Sequence, residues 1–162
     1  MVSQPSAIWY DEVVTFTDPL FELSIDLPRD WYITPRPATE TKSTAIDMFY
    51  SPCDNRGLPF VAPPCTKILI SGITSPIKDF EELKVRAGPS DVMPSRMIEQ
   101  RELNLNGLPA IWTTIESVSS DTGKMTPMVQ VLILNGKQGL YLNAYGELSP
   151  ADSIVASIRP IQ

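Results

Sequence analysis

The sequence contains no histidine, and this absence excludes several kinds of active site. Without an imidazole there is no Ser-His or Cys-His catalytic pair and no histidine ligand for a metal ion. A basic surplus is also missing, because 13 Lys+Arg stand against 19 Asp+Glu, giving a formal net charge of -6. Binding to the phosphates of nucleic acid needs clustered positive charge. We therefore expect no metal, no cofactor and no nucleic acid partner.

Long apolar runs are absent as well. None of them reaches the roughly 18 residues that a membrane-spanning helix needs, so no transmembrane segment is predicted. The first residues show neither the basic nor the apolar region of a signal peptide. Either the protein is cytoplasmic, or the sequence is the mature part of an exported protein whose leader or lipid anchor precedes Met1.

Cysteine is scarce, with two residues that flank a segment of proline and other turn formers, Cys53 and Cys65. A disulfide that closes a loop of this size stabilises a protein by roughly 3 kcal/mol in the chain-entropy model. An even pair around such a loop is typical of extracytoplasmic proteins. We therefore favour a disulfide and an extracytoplasmic location, with two reduced thiols as the alternative.

Proline, in contrast, is abundant: 16 of the 162 residues, 12 of them within residues 1–100. The hydrophobic share of 43% and charged share of 20% are ordinary for a folded protein, and the length fits one domain. We expect a single domain over residues 1–162, with a flexible N-terminal segment at 1–12 and a first half interrupted by loops.

The second half alternates strand-like runs with turn signals such as Asn106-Gly107 and Asn135-Gly136. Asn-Gly favours a tight hairpin because both turn positions need a positive φ. The pattern predicts a four-stranded antiparallel meander with strands at Met97–Leu105, Leu108–Ser119, Met125–Leu134 and Gly139–Tyr145.

Two amphipathic helices are predicted by Ser-Pro dipeptides, at Ser75-Pro76 and Ser149-Pro150. Serine is a good N-cap, and proline is favoured in the first helical turn. The first helix runs to about Ala87; the second carries an apolar stripe and ends at Pro160. The stripe consists of Ala151, Ile154, Val155 and Ile158.

The first half predicts shorter strands, and in one of them apolar residues at every second position indicate one buried face. These strands are Val13–Phe16, Phe21–Asp26, Thr44–Ser51 and Thr66–Ser71. Strands, helix, meander and helix together predict an α+β fold, an antiparallel sheet with helices packed against it.

Three segments of this sequence resemble the PsbP-like family. Asp18 to Trp31 is similar to the opening of those domains, in which a phenylalanine, a strand, a proline and a tryptophan follow one another. Leu105 to Ala110 is similar to a family hairpin turn with glycine, one residue and proline-alanine. Gly139 to Gly146, followed by Ile154 to Ile158, resembles the last strand and closing helix. The order of the segments matches over nearly the whole chain.

The resemblance implies an α-β-α sandwich around an antiparallel sheet. The superfamily includes the PsbP subunits on the lumenal side of photosystem II, bacterial PsbP-like lipoproteins and a Ran-binding nuclear import factor; most members are binding or assembly modules. The chain departs from them in lacking the histidines of metal sites found in some PsbP proteins and in its segment between Cys53 and Cys65. The resemblance therefore favours a bacterial extracytoplasmic PsbP-like domain over a photosystem II extrinsic subunit, which stays an alternative.

Aromatic and apolar residues in loops are the candidates for a partner surface. The tryptophans Trp31 and Trp112 are expected to be core residues. The candidate contact residues are Leu58, Phe60 and Val61 between the cysteines, and Trp9 and Tyr10 ahead of the first strand.

Catalytic groups are not apparent, because a nucleophile needs a base beside it and no Ser-x-x-Lys occurs. The densest acidic group, Asp79, Glu81 and Glu82, is interpreted as the solvated side of a helix. We therefore expect a non-enzymatic binding or assembly module with a protein partner. The alternatives are a lipid or small-molecule carrier with an apolar cavity, and a hydrolase that uses carboxylates alone.

Overall fold

The structure, a computed structural model, describes residues 12–34, 45–53, 64–88, 95–118 and 125–161. Ten strands and two short helices lie in these ranges. They are β1 Val13–Asp18, β2 Leu23–Pro28, β3 Tyr32–Ile33, β4 Ile46–Tyr50, β5 Thr66–Gly72, α1 Phe80–Val85, β6 Ser95–Leu105, β7 Leu108–Val118, β8 Met125–Asn135, β9 Gln138–Gly146, α2 Ala151–Ala156 and β10 Arg159–Pro160.

Two antiparallel sheets organise the chain. The large sheet has seven strands in the order β3-β4-β5-β9-β8-β7-β6, and the small sheet has three in the order β1-β2-β10. The predicted meander is confirmed as β6 to β9, with each strand pairing with the next. At the first hairpin both Asn106 (φ 54°) and Gly107 (φ 101°) are left-handed, as the Asn-Gly signal requires.

One side of the large sheet carries the main hydrophobic core, and the small sheet and α2 cover it. The alternating apolar residues at and just before β2 that were predicted to face inward are buried, as are the apolar residues of the second helix stripe. Phe16 of β1 reaches across to Phe49 of β4 in an edge-on contact with ring centroids 5.2 Å apart. Those buried residues are Phe21, Leu23, Ile25, Leu27, Ala151, Ile154, Val155 and Ile158.

The opposite side of the large sheet has a smaller cluster under α1 and the segment that precedes it. Leu132 and Leu134 of β8 pack there against Ile77 and Leu83. Gly139 makes this approach feasible, since a Cβ at that position would lie 2.6 Å from Ile73 Cδ1 and 2.8 Å from Ile77 Cγ1. The glycine therefore fixes how closely residues 73–77 pack on β9.

The α+β class is thus confirmed as a mostly antiparallel structure with two short helices. The helices lie on opposite sides of the large sheet, but α2 shares its side with the three-stranded sheet. The two-residue strands β3 and β10 were not predicted, because two residues are too few to show a periodicity. Both depend on partners distant in sequence, β4 and β2.

The predicted start of the first helix is wrong. The helix begins after Asp79, whose carboxylate accepts a hydrogen bond from the Glu82 backbone N–H at 2.9 Å. The Glu82 carboxylate in turn accepts from the Lys78 N–H at 2.7 Å, one residue ahead of the Asp79 cap, so the two side chains satisfy two backbone N–H groups at the helix start. Ser75-Pro76 lies instead in a segment without regular secondary structure, in which the Ile77 N–H donates to the Lys137 carbonyl at 2.8 Å. Pairing with the β8–β9 turn therefore overrides the Ser-Pro signal.

The second helix also differs in detail from its prediction. It begins after Pro150 with no side-chain cap, so the expected capping hydroxyl of Ser149 is wrong. The helix ends at Ala156, and Pro160, expected to terminate it, lies in β10. Ser157 follows the helix and accepts a hydrogen bond from the Asp26 N–H at 2.8 Å, which joins the helix end to the small sheet.

Candidate binding surface beside the disulfide

The expected disulfide between Cys53 and Cys65 is present, with the two Cα atoms 5.9 Å apart. Cys53 lies just beyond the end of β4, and Cys65 directly precedes β5. Between these ends the Ser51 N–H donates to the Thr66 carbonyl at 3.0 Å, and the Thr66 N–H donates to Ser51 Oγ at 2.8 Å. The pairing of β4 with β5 therefore continues almost to the bridge. The bridge and these hydrogen bonds hold Cys53 and Cys65, the two ends of the intervening segment, next to each other.

Next to the bridge, four large side chains form a row across four strands of the large sheet. Tyr32 pairs with Tyr50, Tyr50 with Lys67, and Lys67 with Tyr145. Directly paired residues project from the same side of a sheet, so the four side chains are neighbours. We call this set, Tyr32, Tyr50, Lys67 and Tyr145, the tyrosine row.

The contacts within the row hold it in a defined geometry. The rings of Tyr32 and Tyr50 have centroids 6.3 Å apart and are tilted by 45°. Lys67 Nζ lies 5.6 Å from the centroid of the Tyr50 ring, within the range of a cation–π interaction. The Tyr50 hydroxyl donates to Met48 Sδ at 3.4 Å. Tyr32, 44% exposed, forms the outer end of the row, whereas Tyr50 and Lys67 are buried.

Burial shifts two ionisable groups of the row in opposite directions. It lowers the pKa of the Lys67 ammonium, because the charged form loses hydration. It raises the pKa of the Tyr145 phenol for the same reason, since there the charged form is the deprotonated one. Burial thus accounts for both shifts, in groups that share a row with the exposed Tyr32.

The lowered pKa of Lys67 predicts a pH dependence of stability. Between that lowered value and the ordinary 10.5, the unfolded chain binds more protons than the folded one, so the free energy of unfolding rises with pH in this window. Tyr145 acts in the opposite direction above its ordinary 10.0, because the unfolded phenol ionises first. As pH rises through this window, we expect the free energy of unfolding of wild type to increase relative to that of Lys67→Met.

Urea unfolding between pH 7 and pH 11 measures this difference, and the Tyr145 contribution cancels because both proteins carry it. Lys137→Met, at an exposed position, is the matched control for loss of a lysine charge. A difference that stays constant with pH, or moves toward Lys67→Met, would contradict the assigned direction.

The partner-surface residues predicted from sequence, Leu58, Phe60, Val61, Trp9 and Tyr10, lie outside the described residues. The two tryptophans expected in the core are described. Trp112 is buried, donates from Nε1 to Thr114 Oγ1 at 3.1 Å and lies under the Arg101 guanidinium. Trp31 is half-buried against the main core.

The acidic group on the first helix has structural contacts. Asp79 and Glu82 cap α1, and Glu81 pairs with Lys84 Nζ at 3.1 Å. The hydrogen bonds that the Lys84 ammonium donates to the carboxylates of Glu102 and Glu81 raise the pKa of Lys84. These contacts fit the predicted solvated helix face.

Among the surface depressions of the described part of the chain, three have volumes of about 490, 420 and 380 Å³. None of the three brings two carboxylates together, which a carboxylate hydrolase would need. Among the described residues, no group of three or more His, Cys, Asp or Glu side chains is arranged to hold a metal ion. In the same residues no helix is long and apolar enough to cross a membrane.

Sequence reasoning missed the tyrosine row. Its members are separated by long stretches of chain, and only the strand order places them side by side. The disulfide is the one signal that could have located it, because a bridge between the end of one strand and the start of the next predicts their pairing. From Tyr50 and Lys67, next to the two cysteines, the row could then be extended outward.

Comparison with known proteins identifies the fold. No family model matches the sequence, and no curated protein matches it. Among solved structures, the chain is similar to the cyanobacterial PsbP (CyanoP) from Synechocystis sp. PCC 6803, with a TM-score of 0.57, 10% identity and coverage of 98% of both chains. A protein from Bacteroides thetaiotaomicron VPI-5482 gives a TM-score of 0.55 at 10% identity; the match covers 91% of this chain and 48% of that one. The chain therefore has a PsbP-like fold, as the sequence motifs indicated.

Proposed function

We propose that the protein is a non-enzymatic, extracytoplasmic binding or assembly module that contacts a protein partner through the disulfide end of its large sheet. The proposal includes the layered α-β-α description of PsbP-like domains, with α1 and α2 as the outer helices. The observation that carries it is the tyrosine row beside the Cys53–Cys65 bridge.

Tyrosine is suited to this role because a large ring with two rotatable side-chain bonds gives contact area at a low entropic cost. In the row, the exposed Tyr32 rests on the buried Tyr50, which Lys67 supports from the other side. The ring at the surface is thus held before any partner arrives. Preorganisation of this kind reduces the ordering cost of binding.

The disulfide supports the extracytoplasmic assignment, since such bonds persist in oxidising compartments and are rare in the cytosol. It also joins Cys53 and Cys65, the two ends of the segment that carries Leu58, Phe60 and Val61, and these ends lie three and two residues along the chain from Tyr50 and Lys67. The predicted apolar contact residues and the tyrosine row therefore belong to one proposed surface.

The non-enzymatic assignment is supported by the structural contacts of several carboxylates, which cap a helix or form ion pairs. In the acidic cluster of α1, Asp79 and Glu82 cap the helix and Glu81 pairs with Lys84. The carboxylates of Asp26 and Asp152 pair with Arg159 and Arg101. A role as a photosystem II extrinsic subunit is the second candidate, and the likeness to the Synechocystis PsbP is the observation in its favour.

Site-specific photocrosslinking tests the proposal. A photoreactive amino acid at Tyr32 or Phe60 is expected to crosslink one defined protein from the extracytoplasmic fraction of the source cell. The same probe at Val85, which is 84% exposed on α1, is the matched control and is expected to give no such product. Equal crosslinking from Val85, or no product from Tyr32 and Phe60, would overturn the assigned surface.

A further inference from the structure

We propose that the depression of about 380 Å³ at the β8–β9 turn is a binding site for a small zwitterion of the amino-acid class. Three segments line it: residue 22 in the β1–β2 turn, residues 73–76 after β5, and residues 135–138 of the β8–β9 turn. Its volume falls within the range of about 300–1,000 Å³ that is typical of small-ligand sites. The site lies at the other end of β5 and β9 from the disulfide, so the inference does not depend on the proposed function.

Opposite charges meet at this depression, because Glu22 contributes a carboxylate and Lys137 contributes an ammonium. Both residues are exposed, and in the described part of the chain neither forms an ion pair, with the other or with a third residue. Two opposite charges that line one depression without pairing leave space between them for a ligand that carries both signs. A zwitterion fits this space, because each of its charged groups meets a charge of the opposite sign.

The backbone of Glu22 is held in an unusual conformation. Its φ of 58° lies in the left-handed region, which costs free energy for a residue with a Cβ atom. The Glu22 carbonyl accepts hydrogen bonds from the Ile161 N–H at 3.1 Å and from Asn135 Nδ2 at 3.2 Å. These bonds fix the strained β1–β2 turn against the β8–β9 turn, so the Glu22 side chain starts from a defined point at the depression.

The segment after β5 is fixed to the β8–β9 turn in the same way. The Ile73 N–H donates to the Gly139 carbonyl at 2.8 Å, and the Ile77 N–H donates to the Lys137 carbonyl at 2.8 Å. Lys137 Nζ donates to the Lys78 carbonyl at 3.0 Å, which positions the ammonium and leaves its other N–H groups for a ligand. The walls of the site are therefore in place before a ligand binds, which reduces the ordering cost of binding.

Two amide oxygens join the Glu22 carboxylate as acceptors for the ammonium of the ligand. Asn135 and Gln138 are directly paired, so their side chains project from the same side of the sheet. Asn135 Nδ2 donates to two carbonyls of the β1–β2 turn, and Gln138 Nε2 donates to the carbonyls of Ile73 and Gly139. Because both nitrogens are committed to carbonyls, the carboxamide oxygens are left as acceptors.

The carboxylate of the ligand is expected to meet Lys137 and Ser75. Arg86 Nη2 donates to Ser75 Oγ at 3.0 Å, so the hydroxyl hydrogen of Ser75 can be donated to an anion. The Arg86 guanidinium also adds positive charge beside that hydroxyl. Hydrogen bonds to a charged acceptor are stronger than those between neutral groups, so these donors favour a carboxylate over a neutral oxygen.

Titration of isotope-labelled protein, followed by its amide chemical shifts, tests the site. The probes are L-alanine and β-alanine, which differ in charge separation, and the fragments propionate and ethylammonium, which carry one charge each. At least one zwitterion is expected to give saturable shifts at Glu22, Ser75 and Lys137, with a dissociation constant at least about tenfold below that of either fragment. The proposal is overturned if neither zwitterion saturates at about 100 mM, or if a fragment binds as tightly.

Glu22→Gly separates ligand binding from stability. Glycine adopts a φ of 58° without strain, so this variant is expected to be at least as stable toward urea as wild type but to bind the zwitterion at least about tenfold more weakly. Lys137→Gln is expected to weaken binding by a similar factor. Glu12→Gln is the matched control, since it removes an exposed carboxylate next to the other end of β1, and it should keep wild-type affinity. Wild-type affinity in Glu22→Gly, or an equal loss in Glu12→Gln, would show that the depression is not the site.

Discussion

Phe49→Ala is expected to lower the free energy of unfolding by about 3–5 kcal/mol, the largest single effect we predict. Phe49 is fully buried in β4, and its ring contacts Phe16 edge-on across the gap between the two sheets. Its removal costs the transfer free energy of the ring and, in addition, the free energy of the cavity that is left between the two sheets. Native domains have a stability of about 5–15 kcal/mol in total, so the variant should be marginally folded at 25 °C.

Urea unfolding monitored by circular dichroism measures this loss. Ile46→Ala is the matched control, since it removes a side chain that is 47% exposed from the same strand, and its effect is expected to be small. A double-mutant cycle with Phe16→Ala should return a coupling of about 0.5–1.5 kcal/mol for the aromatic pair. A loss below about 1 kcal/mol for Phe49→Ala would show that the two sheets do not depend on this contact.

Removal of the disulfide by Cys53→Ser with Cys65→Ser is expected to cost about 2–4 kcal/mol. The bond closes a loop of sequence separation 12, and the unfolded chain regains that loop's freedom once the bond is gone. The native strand pairing next to the bridge, held by Ser51 and Thr66, supports the loop ends only while the fold persists. The loss should therefore appear in the unfolding midpoint, with the native secondary structure retained.

Comparison of oxidised and reduced wild type provides the control, because both have the same sequence. Reduction should reproduce the loss seen with the double serine variant, and thiol titration of unfolded, unreduced protein from an oxidising compartment should find no reactive thiol. Two reactive thiols, or equal stability of the oxidised and reduced forms, would show that the bond does not stabilise the protein.

Prediction from sequence was most accurate where order along the chain equals order in space. The meander of β6 to β9 follows from alternation and Asn-Gly turns, because each strand pairs with its sequence neighbour. The prediction that the apolar stripe of the second helix is buried is confirmed for the same reason, since such a stripe depends on local periodicity. The helix start at Ser75-Pro76 was wrong because Ile77 hydrogen-bonds to Lys137, far along the chain.

The candidate site was predictable in part. The two cysteines indicated the disulfide and the end of the sheet where it lies. Tyr32 and Tyr145 gave no comparable signal, since each joins the row through pairing with strands distant in sequence. The position of β6 at the edge of the seven described strands was hidden in the same way, because the sequence of a strand does not state whether it has one neighbour or two.

The absence of histidine, the net charge of -6 and the alternation of apolar residues are properties of the sequence alone, and they determined the fold class and the chemistries excluded. Tertiary structure decided which side chains meet. It placed β5 beside β9 and brought three tyrosines and a lysine into one row. The physical reason is that periodicity records burial along one strand, whereas the choice of neighbouring strand depends on how the whole set of apolar faces is covered.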